Sequence, residues 1–242
     1  MGKIVAYGGG HWRRTLPIHR EILRLTGRAA PRVLFLPTAS KDNEKYCKAF
    51  NRVYRRLGAR TDLLLAVRGT PSRAEVKRKI RWADAVFVGG GNTLMMMRRW
   101  KFLGIDRELL RAYRRGVVLA GASAGSICWF ESGHSDSMRG YGHDPWEYIQ
   151  VTGLGLIKGF HCPHYHHEDR EKEFRRMVRQ RGGHGIAMDD GAGIEVVDGR
   201  YRVLSCMRGA KVYSIRRVRG RVVEKEIPRT GCFRPVAEMY RC

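Results

Sequence analysis

Long hydrophobic runs are missing from this chain of 242 residues. No stretch approaches the roughly 18 apolar residues of a membrane-spanning helix, so the expectation is a protein with no membrane partner. Paired cysteines are missing too. Cys47, Cys128, Cys162, Cys206, Cys232 and Cys242 are scattered with no C-x-x-C pair, which points to reduced thiols and away from a disulfide framework or a cysteine-type zinc site. Acidic residues are scarce: 23 Asp and Glu face 47 Lys and Arg, a formal net charge of +24. A surplus of that size suits phosphate contacts in nucleic-acid binding. Arginine is nevertheless spread through nearly every segment, with no stripe, tail or binding-module signature. Solvated faces account for it, and nucleic acid is not the expected partner. A secretory signal is not expected either, because "MGKIVAYGGG" enters strand-like sequence at once, and Ala6 departs from the myristoylation pattern. These absences together lead us to expect a cytoplasmic protein.

What is present is an alternation of two patterns. Continuous apolar runs read as buried strands at Lys3 to Gly10, Arg32 to Ser40, Thr61 to Val67, Ala83 to Asn92 and Val117 to Ala120. Between them, helical spacing appears at His19 to Leu25, Asp42 to Leu57, Ser72 to Ile80 and Asp106 to Arg115, with Gly27 and Gly58 as stops. Strands that are apolar throughout, each followed by a helix, predict a parallel sheet covered on both faces. Ligands in such sheets bind at the carboxyl ends of the strands. Three glycine-bearing turns fall there: Gly8 to Gly10, Gly89 to Gly91 and Gly121 to Gly125. Phe130 to Val151 then reads as a long functional excursion, and a helix is expected over His167 to Gln180. From Ile186 to Ile227 the pattern is short strands, with hairpin turns at "VVDGRY" and "RVRGRV". No composition break divides the chain, so residues 1–242 are expected to form one domain.

The chemistry concentrates in "VLAGASAGSICWF". A nucleophile on a sharp strand-to-helix turn needs neighbours without bulk, and "GASAG" fits G-x-S-x-G with Ser123 at its centre. The helix expected to follow would aim its dipoles at the site, with the Ala124 N–H helping to hold an oxyanion. Cys128, about one turn further on, reads as core packing, and Met95 to Met97 as adaptable apolar filling. A serine needs a base, and "HCPHYHHEDRE" holds His161, His164, His166 and His167. A metal site is the rival reading of this cluster, but H-E-x-x-H is absent. His164 stands out because Pro163 stiffens the chain before it; the other three read as exposed loop residues. An orienting carboxylate would come from Asp136 or from the Asp189–Asp190 pair.

Four segments, "AVFVGGGNTLMMMRRW", "GASAGSICWFESGHSDS", "GLGLIKGFHCPHY" and "GIAMDDGAG", taken together and in this order, resemble the peptidase E family of serine peptidases, which are aspartyl dipeptidases related to cyanophycinases. The resemblance covers roughly Ala83 to Gly193. It implies a three-layer α/β sandwich like that of class I glutamine amidotransferases, here with C-terminal β-hairpin additions. It further implies a triad of Ser123, His164 and an acid. The family's acid is a glutamate after a later strand; Asp190 matches it one methylene short, and Asp136 approximates a second family acid. Gly90 and Gly91 match the oxyanion loop, beside Ala124. Asn92 would fix that loop or touch substrate, with His134 and Arg139 as further substrate contacts. The implied reaction is acyl transfer on short peptides, such as N-terminal Asp-X dipeptides, by a monomer or homodimer with no cofactor and no metal. Two rivals stand beside it: a cyanophycin-type or other amide hydrolase, and a non-catalytic nucleic-acid-binding protein on the same scaffold.

Overall fold

The structure is a computed structural model, and it describes residues 2–142, 145–167 and 169–241. Five strands form a parallel array: β1 (Lys3–Tyr7), β2 (Arg32–Leu36), β3 (Arg60–Leu63), β4 (Ala85–Val88) and β5 (Val118–Ala122). They lie in the order β1-β5-β4-β2-β3. Five helices interleave with them in sequence: α1 (Leu16–Arg24), α2 (Glu44–Arg56), α3 (Arg73–Trp82), α4 (Thr93–Leu103) and α5 (Ile105–Arg114). Asn43, Ser72 and Asn92 start α2, α3 and α4 by accepting a first-turn N–H on the side chain.

The strands read as apolar throughout because both faces are covered. Val5, Val33, Phe35 and Phe87 pack with Ile18, Ile22, Phe50 and Tyr54 of α1 and α2. Ile4, Leu34, Leu36 and Val86 pack with Val76, Ile80, Met96, Trp100 and Leu109 of α3, α4 and α5. Helix, sheet and helix make the three layers.

The rest of the chain adds strands of both directions to this array. A four-residue helix, α6 (Ala124–Ile127), leads into β6 (Phe130–Ser135), β7 (Ile149–Thr152) and β8 (Ile157–Cys162). Next come α7 (Arg170–Arg181), β9 (His184–Met188), β10 (Ala192–Val197) and β11 (Arg200–Ser205). Finally come β12 (Val212–Val218), β13 (Arg221–Glu226) and β14 (Arg234–Pro235). Strands β10, β11 and β14 extend the first sheet antiparallel from β1. The remaining strands build a second, mixed sheet in the order β13-β12-β9-β8-β6-β7. The stretch read as an irregular excursion therefore begins and ends in strands of that sheet. Both expected hairpins are present, turning on Asp198-Gly199 and Arg219-Gly220 with positive φ at all four residues, as a type I′ turn requires.

Cys47, Cys128, Cys162, Cys206 and Cys232 are free thiols, and Cys242 lies outside the described residues. Among the described residues, no helix is long and apolar enough to cross a membrane.

One buried group ties the α1–α2 layer to pH. His19 is inaccessible to solvent, with Nδ1 3.0 Å from the Tyr54 hydroxyl and Nε2 3.2 Å from Thr15 Oγ1. Burial pushes its pKa down to about 3, so the imidazole is neutral in the fold and takes up a proton on unfolding below its ordinary pKa. Stability from such a group is whole above about pH 6.5 and falls with pH by up to about 1.4 kcal/mol per unit. Thermal melts between about pH 7.5 and about pH 5 should show a falling midpoint, with a shallower slope for His19→Gln. Equal slopes would remove His19 from the account.

Candidate active site

Strand β5 ends at Ala122, and the backbone then turns sharply at Ser123, whose φ of 57° and ψ of −118° are strained for a residue with a side chain. The turn explains its small neighbours. A Cβ on Gly121 would lie 2.1 Å from the Gly125 carbonyl oxygen, and one on Gly125 would lie 2.1 Å from that of Val88. The helix after the serine has only four residues, so few aligned dipoles point at the site. The turn is braced from beneath instead. Ser126 Oγ is 2.7 Å from the Ser123 carbonyl oxygen and 2.8 Å from His161 Nε2, and His161 Nδ1 is 2.8 Å from the Ile186 carbonyl oxygen. His161 was expected in an exposed loop; it is fully buried, and burial pushes its pKa down to about 3.

His164 occupies the turn after β8 with φ of 52°, held by its own carbonyl to the His167 N–H and, next door, by the Tyr165 N–H to the Met188 carbonyl. Its Nε2 lies 2.8 Å from Ser123 Oγ, and its Nδ1 lies 2.5 Å from Asp190 Oδ1. Asp190 sits in the connection from β9 to β10. Burial raises its pKa, but the His164 hydrogen bond and the nearby His164, His167 and Arg170 outweigh burial and leave the carboxyl below its ordinary value. Both side chains are about 23% exposed, so the relay is open to solvent. The other expected acid is elsewhere: Asp136 Oδ2 is 2.5 Å from the Arg170 guanidinium. Spatial proximity thus selects Asp190 over Asp136 as the neighbour of His164.

The remaining expected residues divide. Gly90 adjoins Ser123, since a Cβ there would be 3.2 Å from Ser123 Cβ, but its N–H donates to the Tyr46 hydroxyl at 3.3 Å. Gly91 packs on the Ala39 carbonyl, so closely that a Cβ would be 2.2 Å away. Ala124 is the first residue of α6, where N–H groups have no acceptor within the helix. Asn92 uses both ends of its amide, accepting from the Met95 N–H and donating to the Ser137 carbonyl at 2.8 Å. These two bonds fix the loop to α4 and to Ser137. His134 was expected to touch substrate; instead it is wholly buried, stacked on Tyr148 with ring centroids 4.2 Å apart. Arg139 is exposed and lies over the Trp146 ring, 5.6 Å from its centroid. Cys128 is buried, and burial raises its pKa well above the ordinary value, so the thiol stays protonated.

Sequence reasoning missed the surroundings of Asp190. A cavity of about 520 Å³ opens there, lined by Gly10, His11, Arg13, Arg14, Asp190 and Met207. Its only sequence signal was the glycine turn after β1. His167 also faces the acid, with Nε2 3.4 Å from Asp190 Oδ2. His164, His167 and Asp190 are the one group among the described residues whose donor atoms lie close enough together to hold a metal ion.

Fold and site together define a class, a serine-type peptidase on a parallel-sheet α/β scaffold. The family model described as Peptidase family S51 matches residues 4–204, and the chain belongs to that family. It is 33% identical over 234 residues to the uncharacterized peptidase YgaJ of Bacillus subtilis (strain 168), covering 94% of this chain and 98% of the relative. It is 28% identical to a probable alpha-aspartyl dipeptidase of Drosophila melanogaster over 193 residues, 75% of each chain. Among solved structures, a peptidase from an acI-B1 Actinobacterium superposes with a TM-score of 0.71 at 15% identity, covering 97% of each chain. The family assignment agrees with the resemblance carried by the four motifs.

The closest approach at the site gives a test. A Cβ on Gly9 would lie 2.1 Å from His164 Cε1 and 2.6 Å from Asp190 Oδ1. Gly9→Ala should therefore displace the imidazole and lower kcat/KM about a hundredfold or more, with an unchanged circular dichroism spectrum. A folded variant at full activity would show that the loop after β1 does not set the His164 position.

Proposed function

We propose that the chain acts as one domain that hydrolyses short peptides by an acyl-enzyme route, with Ser123 as nucleophile, His164 as general base and acid, and Asp190 as its orienting acid. The observation that carries this reading is the unbroken relay from Ser123 Oγ through both His164 nitrogens to Asp190 Oδ1. His164 Nε2 takes the hydroxyl proton as Oγ bonds to the peptide carbonyl carbon. Negative charge then collects on the carbonyl oxygen, where the Ala124 and Gly91 N–H groups are the donors we assign; Gly90 joins them by giving up Tyr46. The proton on Nε2 passes to the leaving amine as the C–N bond breaks. Water attacks the ester, gives a proton to His164, and Ser123 regains its hydrogen as the acyl group departs. Asp190 holds the Nδ1–H tautomer and stabilises the transient imidazolium. No step requires a metal or organic cofactor.

For substrate we infer peptides with an acidic group, including N-terminal Asp-X dipeptides. The basic lining of the cavity beside Asp190 by His11, Arg13 and Arg14 supports this. The name of the Drosophila relative points the same way. The free thiols fit a reducing compartment, and we place the reaction in the cytoplasm.

Ser123→Ala should abolish fluorophosphonate labelling and cut dipeptide hydrolysis by about a thousandfold or more. Asp190→Asn should lower kcat by about 10³ to 10⁴, whereas Asp136→Asn should keep it within about threefold. Normal hydrolysis by the alanine variant, or an Asp136 effect exceeding that of Asp190, would overturn these assignments. A panel of Asp-X, Glu-X, isoaspartyl and neutral dipeptides reads the substrate class. Preference for neutral peptides would remove the acidic-substrate reading and leave the relay intact.

A further inference from the structure

The loop "HYHH" and the pair Asp189–Asp190 face one another, and the proposed relay uses only half of what they bring together. His167 Nε2 lies 3.4 Å from Asp190 Oδ2, the carboxylate oxygen that His164 does not bond. The two imidazoles are neighbours, with ring centroids 5.6 Å apart. One donor atom from each of His164, His167 and Asp190 lies within 4.8 Å of the others. Zinc bonds of about 2.1 Å in a tetrahedral shell put neighbouring donors about 3.4 Å apart, which is the His167–Asp190 separation. Two imidazoles and one carboxylate suit zinc and its first-row neighbours, not magnesium or calcium. The site is reachable: the His167 side chain is 57% exposed and that of Asp190 is 23% exposed.

We propose that these three residues form an inhibitory site for a borderline divalent cation, Zn²⁺ above all, overlying the catalytic relay. This inference rests on the triad reading for its effect on catalysis, and on donor geometry alone for the binding.

The inhibition follows from proton bookkeeping on one ring. Neutral His164 carries a single ring hydrogen, on Nδ1, where Asp190 accepts it; Nε2 then has the lone pair that faces the Ser123 hydroxyl. A cation lodged against Asp190 takes the Nδ1 lone pair. The ring hydrogen moves through water to Nε2, so no proton is gained or lost. The bonds formed are from the metal to His164 Nδ1, His167 Nε2 and an Asp190 oxygen, and water completes the shell. With hydrogen on Nε2, His164 can no longer receive the Ser123 proton. The metal therefore stops the base by fixing the wrong tautomer, without touching the nucleophile. His166 is the natural control. It is adjacent in sequence, but its nitrogens lie 3.1 Å from Glu171 and 3.0 Å from the Tyr213 hydroxyl, outside the cluster.

Zn²⁺ titrations followed both by dipeptide hydrolysis and by calorimetry test the proposal. One high-affinity ion per chain should bind the wild type and Ser123→Ala alike. Hydrolysis should be lost as the ion binds and should return with EDTA. His167→Gln should weaken binding and raise the half-inhibiting concentration by about tenfold or more, while His166→Gln should change neither. Zn²⁺ affinity unaffected by His167→Gln, or full hydrolysis at saturating Zn²⁺, would overturn the site. If no peptide is hydrolysed at all, the triad reading fails, and calorimetry on the same variants still decides whether the metal site exists.

Discussion

Two short hydrogen bonds converge on one imidazole, and nearly everything distinctive about this molecule serves to bring their ends together. Ser123 leaves the parallel array at the end of β5; His164 leaves the second sheet at the end of β8. Asp190 lies on the connection that carries the chain from β9 in the second sheet to β10 in the first. Hydrogen bonds of 2.5 to 2.8 Å tolerate only small displacements, so the relay exists only while the two sheets keep one relative position. The strained backbone of Ser123, the Ser126–His161 brace beneath it and the bare Cα of Gly9 above the imidazole all act on that constraint.

The parallel half of the fold was legible because strands covered on both faces must be apolar throughout. The turn at Ser123 was legible because a strained backbone in close contact with Val88 tolerates only small neighbours. The second sheet was legible only towards its end, in short strands and the β12–β13 hairpin. Strand β6 reads "FESGHS", and beside Phe130 its buried residues Ser132, His134 and Ser135 are polar, so hydrophobic periodicity is silent there. Which acid neighbours His164 was ambiguous for a different reason. Asp136 and Asp190 look alike as loop acids, and what separates them is Arg170, which takes Asp136 from a helix far along the chain. His134 and His161 were misread because their polarity suggests exposure. The fold buries both and pushes both down to about 3, leaving neutral rings that pack and accept. Arg13 and Arg14 belong to the surroundings of the site only because β1 ends beside Asp190, a fact of topology and not of motif.

The histidines show how far environment outweighs residue type. His19 and His161 are structural parts, kept neutral by burial and oriented by hydroxyl and carbonyl partners. His164 is half open, between a hydroxyl and a carboxylate. His167, three residues on, faces the same carboxylate from solvent. Position alone separates a buried brace from the rings we propose as a base and as a metal ligand.

The antiparallel entry of β10 beside β1, with Gly193 opposite Tyr7, has a further meaning for the order of synthesis. The edge of β1 that β10 covers cannot be paired until synthesis has passed Ala192. Asp190, just before that strand, is made after Ser123 and His164, so the relay we propose can be completed only as the same strand arrives. Topology thus ties the closing of one sheet edge and the last member of the proposed relay to a single event.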